Sequence, residues 1–198
     1  ACEYVDSFLK FYPKIAVILN IEEDHLDYFS GLKQIQDSFA TFASQVKPNG
    51  YIIANGDDPN IIMAIENIDK TKIYFGRESH CEARIHDESY DCTGCGTFSL
   101  SLNDELLGNF TIKVPGRHNV LNATAAILCG YFSNIPIDFL KAGIELYTGV
   151  GRRFEYKGEI NGIKVYDDYA HHPTEVAATL SAAKMLKRHL LYTVFQPH

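Results

Sequence analysis

The hydrophobic pattern of the first third of the chain alternates between short buried strands and amphipathic helices. Three continuous apolar runs rich in β-branched residues occupy positions 14–21, 51–55 and 72–76. Such runs are typical of parallel strands covered on both faces. Between them, apolar residues recur at helical spacing from Leu32 to Val46, and Asp58 followed by Pro59 predicts the cap and first position of a second helix. This alternation predicts an α/β fold with a mostly parallel sheet and flanking helices.

The pattern changes at positions 80–114, where short alternating stretches are separated by Gly-, Asn- and Asp-rich turns. These stretches predict a small antiparallel meander. Two helices, a hairpin on an Asn-Gly turn, another helix and a buried strand follow, at about 120–132, 136–147, 154–168, 173–187 and 190–195. The Gly-rich segment TGVGRRFE at 148–155 is a hinge, so we expect one domain over 1–148 and a second over 149–198.

Composition limits the classes of function. The net charge of −7 over 198 residues argues against a nucleic-acid-binding surface. The chain has no apolar run long enough to span a membrane and no signal peptide at its start. The five cysteines are unevenly spaced, which indicates reduced thiols in the cytoplasm. Because both ends read as interior sequence, we expect a chain cut from something longer.

An acidic segment with one histidine directly follows the first strand. Asp24, His25 and Asp27 lie there and could bind a metal ion or a phosphate. Carboxylates suit Mg²⁺, whereas histidine is a less usual ligand for it. The alternative is an acidic helix N-terminus, which the helix dipole favours.

Two further stretches are candidates for nucleotide binding. In GRHNVLN, His118 and Asn122 lie four residues apart at a helix start, and an Asn amide matches the hydrogen-bonding edge of adenine. The alternative is that Asn119 only caps the helix. In the hinge, Arg152 or Arg153 could bind two phosphate oxygens at once, or could be solvated linker charges.

A zinc site is a weaker hypothesis. Five potential ligands lie within a short segment, namely His80, Cys81, His86, Cys92 and Cys95. Only one C-x-x-C pair is present, and it also reads as a Gly-rich hairpin turn. The chain contains no G-x-x-x-x-G-K-[ST], G-x-S-x-G or G-x-G-x-x-G motif.

The stretch VYDDYAHHPTE at 165–175 places ionisable and aromatic groups at the exit of a strand. Open α/β folds build their sites at the carboxyl ends of strands, so this stretch is a candidate site edge. The alternative is that His171 and His172 only cap the next helix, with Pro173 as its first residue.

Six stretches in order along the chain resemble the Mur ligase family. They are ACEYVDSFLKFYP, NIEEDHLDYF, PGRHNVLNATAA, GVGRRFE, DDYAHHPTE and FQPH. Each is weak alone, but six in family order are specific, and DYAHHPTE favours the alanine-adding members. Ala170 departs from the pattern, since glycine is common at that position.

The resemblance implies an ATP-dependent ligase of three domains. It would join L-alanine to UDP-N-acetylmuramate through an acyl phosphate, with Mg²⁺, in peptidoglycan biosynthesis. Residues 1–148 would be the central ATP-binding domain, and 149–198 the beginning of a Rossmann-like domain that binds the amino acid. The P-loop and a Mg²⁺-binding glutamate would precede Ala1, so we expect the 198-residue chain alone to be inactive.

The resemblance also implies roles for particular residues. His25 would bind the metal ion, and Asn122 with His118 would bind adenine. Arg152 or Arg153 would contact the phosphates or the acyl phosphate, and Asp168 would lie beside the nucleotide. The alanine site between the domains would be lined by Tyr169, His171 and His172. The alternatives are a related ligase that adds a preformed peptide, a folylpolyglutamate-type synthetase, and a non-catalytic binding module. The oligomeric state stays open.

Overall fold

A single six-stranded sheet organises most of the chain. The computed structural model describes residues 3–186 and 189–196. The strands follow one another across the sheet in chain order: β1 (Ile15–Ile18), β2 (Tyr51–Asn55), β3 (Thr71–Gly76), β4 (Ala83–Tyr90), β5 (Cys95–Leu102) and β6 (Glu105–Pro115). The pairs from β1 to β4 are parallel, and the pairs from β4 to β6 are antiparallel. The predicted meander therefore exists, but β4 joins it to β3 within one continuous sheet.

Five helices cover the faces and carry the chain onward. They are α1 (Leu32–Ser44), α2 (Pro59–Ile65), α3 (Arg117–Tyr131), α4 (Ile137–Leu146) and α5 (Pro173–Met185). A short 3₁₀ segment, Tyr4–Lys10, precedes the first strand. The predicted cap of α2 is confirmed, because an oxygen of Asp58 accepts a hydrogen bond of 2.9 Å from the Asn60 N–H. No helix in the described part of the chain is long and apolar enough to cross a membrane.

The sheet separates two hydrophobic cores. In β2, Ile53 packs with the core under α3, while Ile52 and Ala54 face the core under α1 and α2. This alternation follows from the two-residue period of a strand and explains why the whole run is apolar. Fully burying each such isoleucine contributes roughly 1.5–3 kcal/mol relative to exposure.

The last part of the chain forms a separate small sheet and a helix. Strands β7 (Glu155–Ile160) and β8 (Ile163–Asp167) make the predicted antiparallel hairpin. Asn161 and Gly162 both have positive φ, 52° and 80°, as a tight hairpin turn on Asn-Gly requires. Helix α5 then packs near the start of α3, where the Cβ of Ala182 lies 3.2 Å from the Cβ position of Gly116.

The prediction of a buried strand at 190–195 is wrong. None of these residues is in a strand, and Val194 is 99% exposed. The apolar run alone suggested a strand, but a strand forms only when a neighbouring strand accepts its backbone hydrogen bonds. Among the described residues, β7 and β8 pair only with each other.

Candidate active site at the strand ends

The loop after β1 brings together a group of potential metal ligands. Ligand atoms of Glu3, Asp24 and His25 all lie within 4.8 Å of one another. The sequence singled out Asp24 and His25 but missed Glu3, which is distant in sequence. The one sequence signal for Glu3 was its place in the stretch ACEY. Nothing in the local sequence shows that the 3₁₀ segment folds back onto this loop.

Local contacts hold this group in place. The backbone of His25 has a positive φ of 52°, and its N–H donates to Asp24 at 2.7 Å. The Tyr4 ring lies 4.8 Å from the His25 ring, and the Tyr4 hydroxyl donates to Asp27 at 3.0 Å. Asp27 is thus an anchor for the 3₁₀ segment and lies outside the ligand group. Two carboxylates and one imidazole form a donor set that a divalent cation such as Mg²⁺ could use.

The first turn of α3 forms a second part of the site. Gly116, with φ of 106°, precedes the helix, and its Cβ position is 2.7 Å from Cε1 of His118. His118 is exposed, yet the protein atoms around its ring partly desolvate it and lower its pKa below the ordinary value. The charge of Asp168 raises this pKa, and that of Arg153 lowers it. Three residues predicted to belong to the site therefore lie close together.

Neither of the two asparagines of this turn caps the helix. Asn119 lies inside the helix, and its amide donates to the Pro115 carbonyl at 2.7 Å, so the capping alternative is wrong. Asn122 is exposed one turn later, and its amide nitrogen donates to the Asn119 side chain at 3.2 Å. Its carboxamide faces solvent, where an adenine could reach it.

The hinge and the loop after β8 are held together by their own polar groups. Asp168 accepts hydrogen bonds of 2.8 Å from the backbone N–H groups of Phe154 and Ala170. The Arg152 guanidinium stacks 4.1 Å above the Tyr169 ring. Asp168 thus acts first as a structural link between the two segments.

Arg153 forms an exposed ion pair with Glu175 of α5 at 3.3 Å. Burial would raise the pKa of Glu175, but hydrogen bonds from the His171 backbone and Arg153, together with the charge of Arg153, lower it. The Arg153 side chain is 55% exposed, so it can exchange this partner for an anionic ligand.

The paired histidines have different partners. Nδ1 of His171 lies 3.1 Å from the Tyr169 carbonyl and 3.5 Å from Glu175, all within its own segment. His172 instead reaches the loop after β1, where Nε2 is 3.0 Å from the Glu23 carbonyl and Nδ1 is 3.2 Å from the Glu22 carboxylate. His172 occupies the cap position of α5, yet its side chain does not cap the helix. It joins the two halves of the site.

The zinc hypothesis gains no support from the geometry. His80 contacts the Gly56 carbonyl at 3.0 Å, and His86 contacts Ser101 at 2.8 Å. In the described part of the chain, the group of Glu3, Asp24 and His25 is the only one with three or more potential ligands close together. The C-x-x-C pair forms the turn between β4 and β5.

A shallow surface cleft of about 520 Å³ lies at the opposite edge of the sheet. Lys14 and Tyr51, at the amino ends of β1 and β2, line it together with Phe132 and Pro136. It is separate from the strand-end site, which follows the carboxyl end of β1.

Comparison with known families matches two consecutive parts of the chain. Residues 3–130 match the model of the Mur ligase middle domain, and residues 152–197 match that of the Mur ligase glutamate ligase domain. The chain belongs to the Mur ligase family. The resemblance seen in the sequence and the α/β fold expected from it are confirmed.

Individual Mur ligases extend this match. The chain is 46% identical over 199 residues to UDP-N-acetylmuramate–L-alanine ligase of Acetivibrio thermocellus, covering 100% of the chain and 42% of that protein. The chain thus spans less than half the length of the curated relatives it matches.

Two solved Mur ligase structures share the fold. UDP-N-acetylmuramate–alanine ligase from Thermotoga maritima aligns with a TM-score of 0.75 at 24% identity, covering 91% of this chain and 40% of that one. A MurF ligase from Thermotoga maritima, solved in complex with ADP, aligns with a TM-score of 0.73 at 19% identity, covering 90% of this chain and 41% of that one.

Proposed function

We propose that this chain forms the middle and early C-terminal part of an ATP-dependent ligase that joins L-alanine to UDP-N-acetylmuramate. The match of the whole chain to part of relatives of that name, at 42–46% identity, supports this assignment. Residues 1–148 would belong to the ATP-binding domain and 149–198 to the amino-acid-binding domain. The gap between the two family matches and the positive φ values of Gly149 and Arg152 support a boundary at the hinge.

The observation that carries the proposal is the convergence of two regions at one edge. The metal-ligand group of the β1 loop and the histidine-rich loop after β8 are joined through His172. Joining a carboxylate to an amine at the expense of ATP brings several anions together, so cationic groups must offset their repulsion. A site that closes between two domains can hold them and exclude water.

The family resemblance suggests the roles of the individual residues, and their places in the structure are compatible with it. Glu3, Asp24 and His25 would hold Mg²⁺, which neutralises phosphate charge when bound. Asn122 would recognise adenine, with His118 beside it. Arg152 and Arg153 would bind phosphate oxygens, and Arg153 would exchange Glu175 for them.

The remaining residues would form the amine side of the site. Tyr169 and His171 would line the place where the alanine amine attacks the acyl phosphate, releasing phosphate and forming the amide. Asp168 would fix the loop beside the nucleotide through the backbone bonds described above. His172 would hold the two sides together.

We also propose a cytoplasmic location and no binding to nucleic acid. The described cysteines are free, which suits a reducing compartment, and the net charge of −7 disfavours a polyanionic partner.

The test uses the full-length protein that carries this chain. With UDP-N-acetylmuramate, ATP and Mg²⁺, L-alanine should release ADP and form the amide product, whereas a preformed tripeptide should not. Glu3→Gln and His25→Gln should each raise the Mg²⁺ concentration needed for half-maximal rate by about tenfold or more. Asp37→Asn, an exposed carboxylate of α1, is the control. Turnover with the tripeptide alone would overturn the assignment.

A further inference from the structure

A partly buried ionic cluster lies beside the start of α3. Arg77 follows the end of β3 and binds Glu88 of β4 through two hydrogen bonds, Nε at 2.7 Å and Nη2 at 2.8 Å. Their side chains are only 24% and 14% exposed. A bidentate pair of this kind fixes the plane and the direction of the guanidinium.

The neighbours of the pair complete its hydrogen bonds. The Asp57 carboxylate accepts from the Arg77 backbone N–H at 2.8 Å and holds the end of β3. The Tyr90 hydroxyl donates to Glu88. Burial, followed by this contact, raises the pKa of Tyr90 to about 12, so the phenol keeps its proton. Burial also opposes the charge of Glu88, yet hydrogen bonds from Arg77 and Tyr90 lower its pKa.

The same pair contacts the first residue of α3. Nη2 of Arg77 donates to the carbonyl of Arg117 at 3.3 Å, and the Arg117 guanidinium lies 3.9 Å from Glu88. Arg117 directly precedes His118, and Asn122 lies just over one turn beyond it. The cluster therefore connects two neighbouring strands to the turn that carries both candidate nucleotide residues.

We propose that the Arg77–Glu88 pair positions the first turn of α3 and so sets the nucleotide-facing side chains of His118 and Asn122. This inference rests on the function proposed above. A partly buried ion pair adds little net stability, since its desolvation offsets much of its attraction. Its value here is geometric, because the guanidinium fork joins the end of β3 and a residue of β4 to the first residue of α3. Arg77 and Glu88 are positioning residues and need not touch the nucleotide.

The experiment measures ATP kinetics in the full-length protein. Glu88→Gln and Arg77→Met should each raise KM for ATP by about tenfold, the effect of misplacing one good hydrogen bond. We expect kcat and KM for L-alanine to change by less than about twofold. Arg77→Lys keeps the charge without the fork and should give an intermediate KM. Arg84 lies in β4, as Glu88 does, and forms an exposed ion pair with Asp104. Arg84→Met removes this pair and should leave KM for ATP unchanged.

Two further measurements make every outcome decisive. If Glu88→Gln or Arg77→Met lowers the melting temperature but leaves KM for ATP unchanged, the role is only structural and the inference fails. If neither variant folds, Tyr90→Phe, which removes a single hydroxyl, should raise KM for ATP about twofold to threefold, and an unchanged KM rejects the inference. Calorimetric titration of ADP separates the two proposals. Wild-type protein that binds ADP without ligating alanine contradicts the function alone.

Discussion

Gly116, directly before α3, has both an unusual backbone conformation and little space around it. Its φ is 106°, and a Cβ there would lie 2.7 Å from the His118 ring and 3.2 Å from Ala182. Glycine is thus required at this position for two reasons, the backbone conformation and the lack of space for a side chain. A side chain at this position would push apart α3 and α5, and it would displace His118.

Gly116→Ala should therefore destabilise the chain by about 1–3 kcal/mol. The matched control is Gly143→Ala, because nothing lies within 4 Å of its Cβ position in the middle of α4. That substitution should stabilise the chain by roughly 0.5–1 kcal/mol. Urea unfolding of both variants checks the pair. Equal effects would show that the crowding at Gly116 relaxes without cost.

The cysteines should differ sharply in reactivity. Burial, then the negative charges of Asp57 and Glu82, raise the pKa of the Cys81 thiol to about 12, whereas Cys92 is exposed. Because the thiolate is the nucleophile, iodoacetamide at pH 8 should alkylate Cys92 long before Cys81. Peptide mass mapping over time measures both rates, with urea-unfolded chain as the control. Cys81 reacting as fast as Cys92 in the folded chain would contradict its burial.

At the scale of the elements, much of the fold could be predicted because the local signals agreed. The run at β2 was apolar on both faces, Asp58 and Pro59 marked α2, and Asn161–Gly162 marked the hairpin turn. The prediction at 190–195 failed, since the pattern suits a strand but no strand among the described residues pairs with this run. Periodicity records which residues can be buried, and the neighbouring elements decide whether they are.

The residues of the candidate site also include some that the sequence predicted and some that it did not. Asp24, His25 and the residues of the hinge stood at strand or helix ends, where position alone was informative. For Glu3 and for the cluster around Arg77 and Glu88, position in the sequence was not informative. Their roles depend on contacts between elements far apart in sequence, which local patterns cannot show.

His172 is the contact through which one element docks on another. Both ring nitrogens of His172 face acceptors in the β1 loop, whereas Nδ1 of His171 contacts Tyr169 and Glu175 of its own segment. His172→Gln should therefore speed amide hydrogen exchange both in residues 168–176 and in residues 22–32. His171→Gln is the matched control and should affect residues 22–32 less than His172→Gln does. Hydrogen exchange measured by mass spectrometry tests this prediction. Unchanged exchange rates in residues 22–32 of His172→Gln would show that His172 does not dock its segment on the β1 loop.

For the whole molecule, the candidate site offers arginine side chains to a phosphate, but the 198-residue sequence contains no P-loop motif. No G-x-x-x-x-G-K-[ST] stretch occurs in the 198 residues. On the proposed assignment, the exposed arginines and a Mg²⁺ ion held by Glu3, Asp24 and His25 would be the main groups left to bind phosphate. Backbone N–H groups at a glycine-rich loop and a helix N-terminus supply most of the phosphate binding in such enzymes. On the proposed assignment, recognition of adenine by Asn122 would be a small part of the total affinity.

The 198-residue chain alone should therefore form no detectable amide from L-alanine, UDP-N-acetylmuramate and ATP, at least about a thousandfold below the full-length protein. Its affinity for ADP should be about 1 mM or weaker. ADP release and calorimetric titration measure the two quantities, and the full-length protein in the same buffer is the control. Micromolar ADP binding by the chain alone would mean that α3 and the hinge arginines carry the affinity. The phosphate cradle would then serve catalysis more than binding.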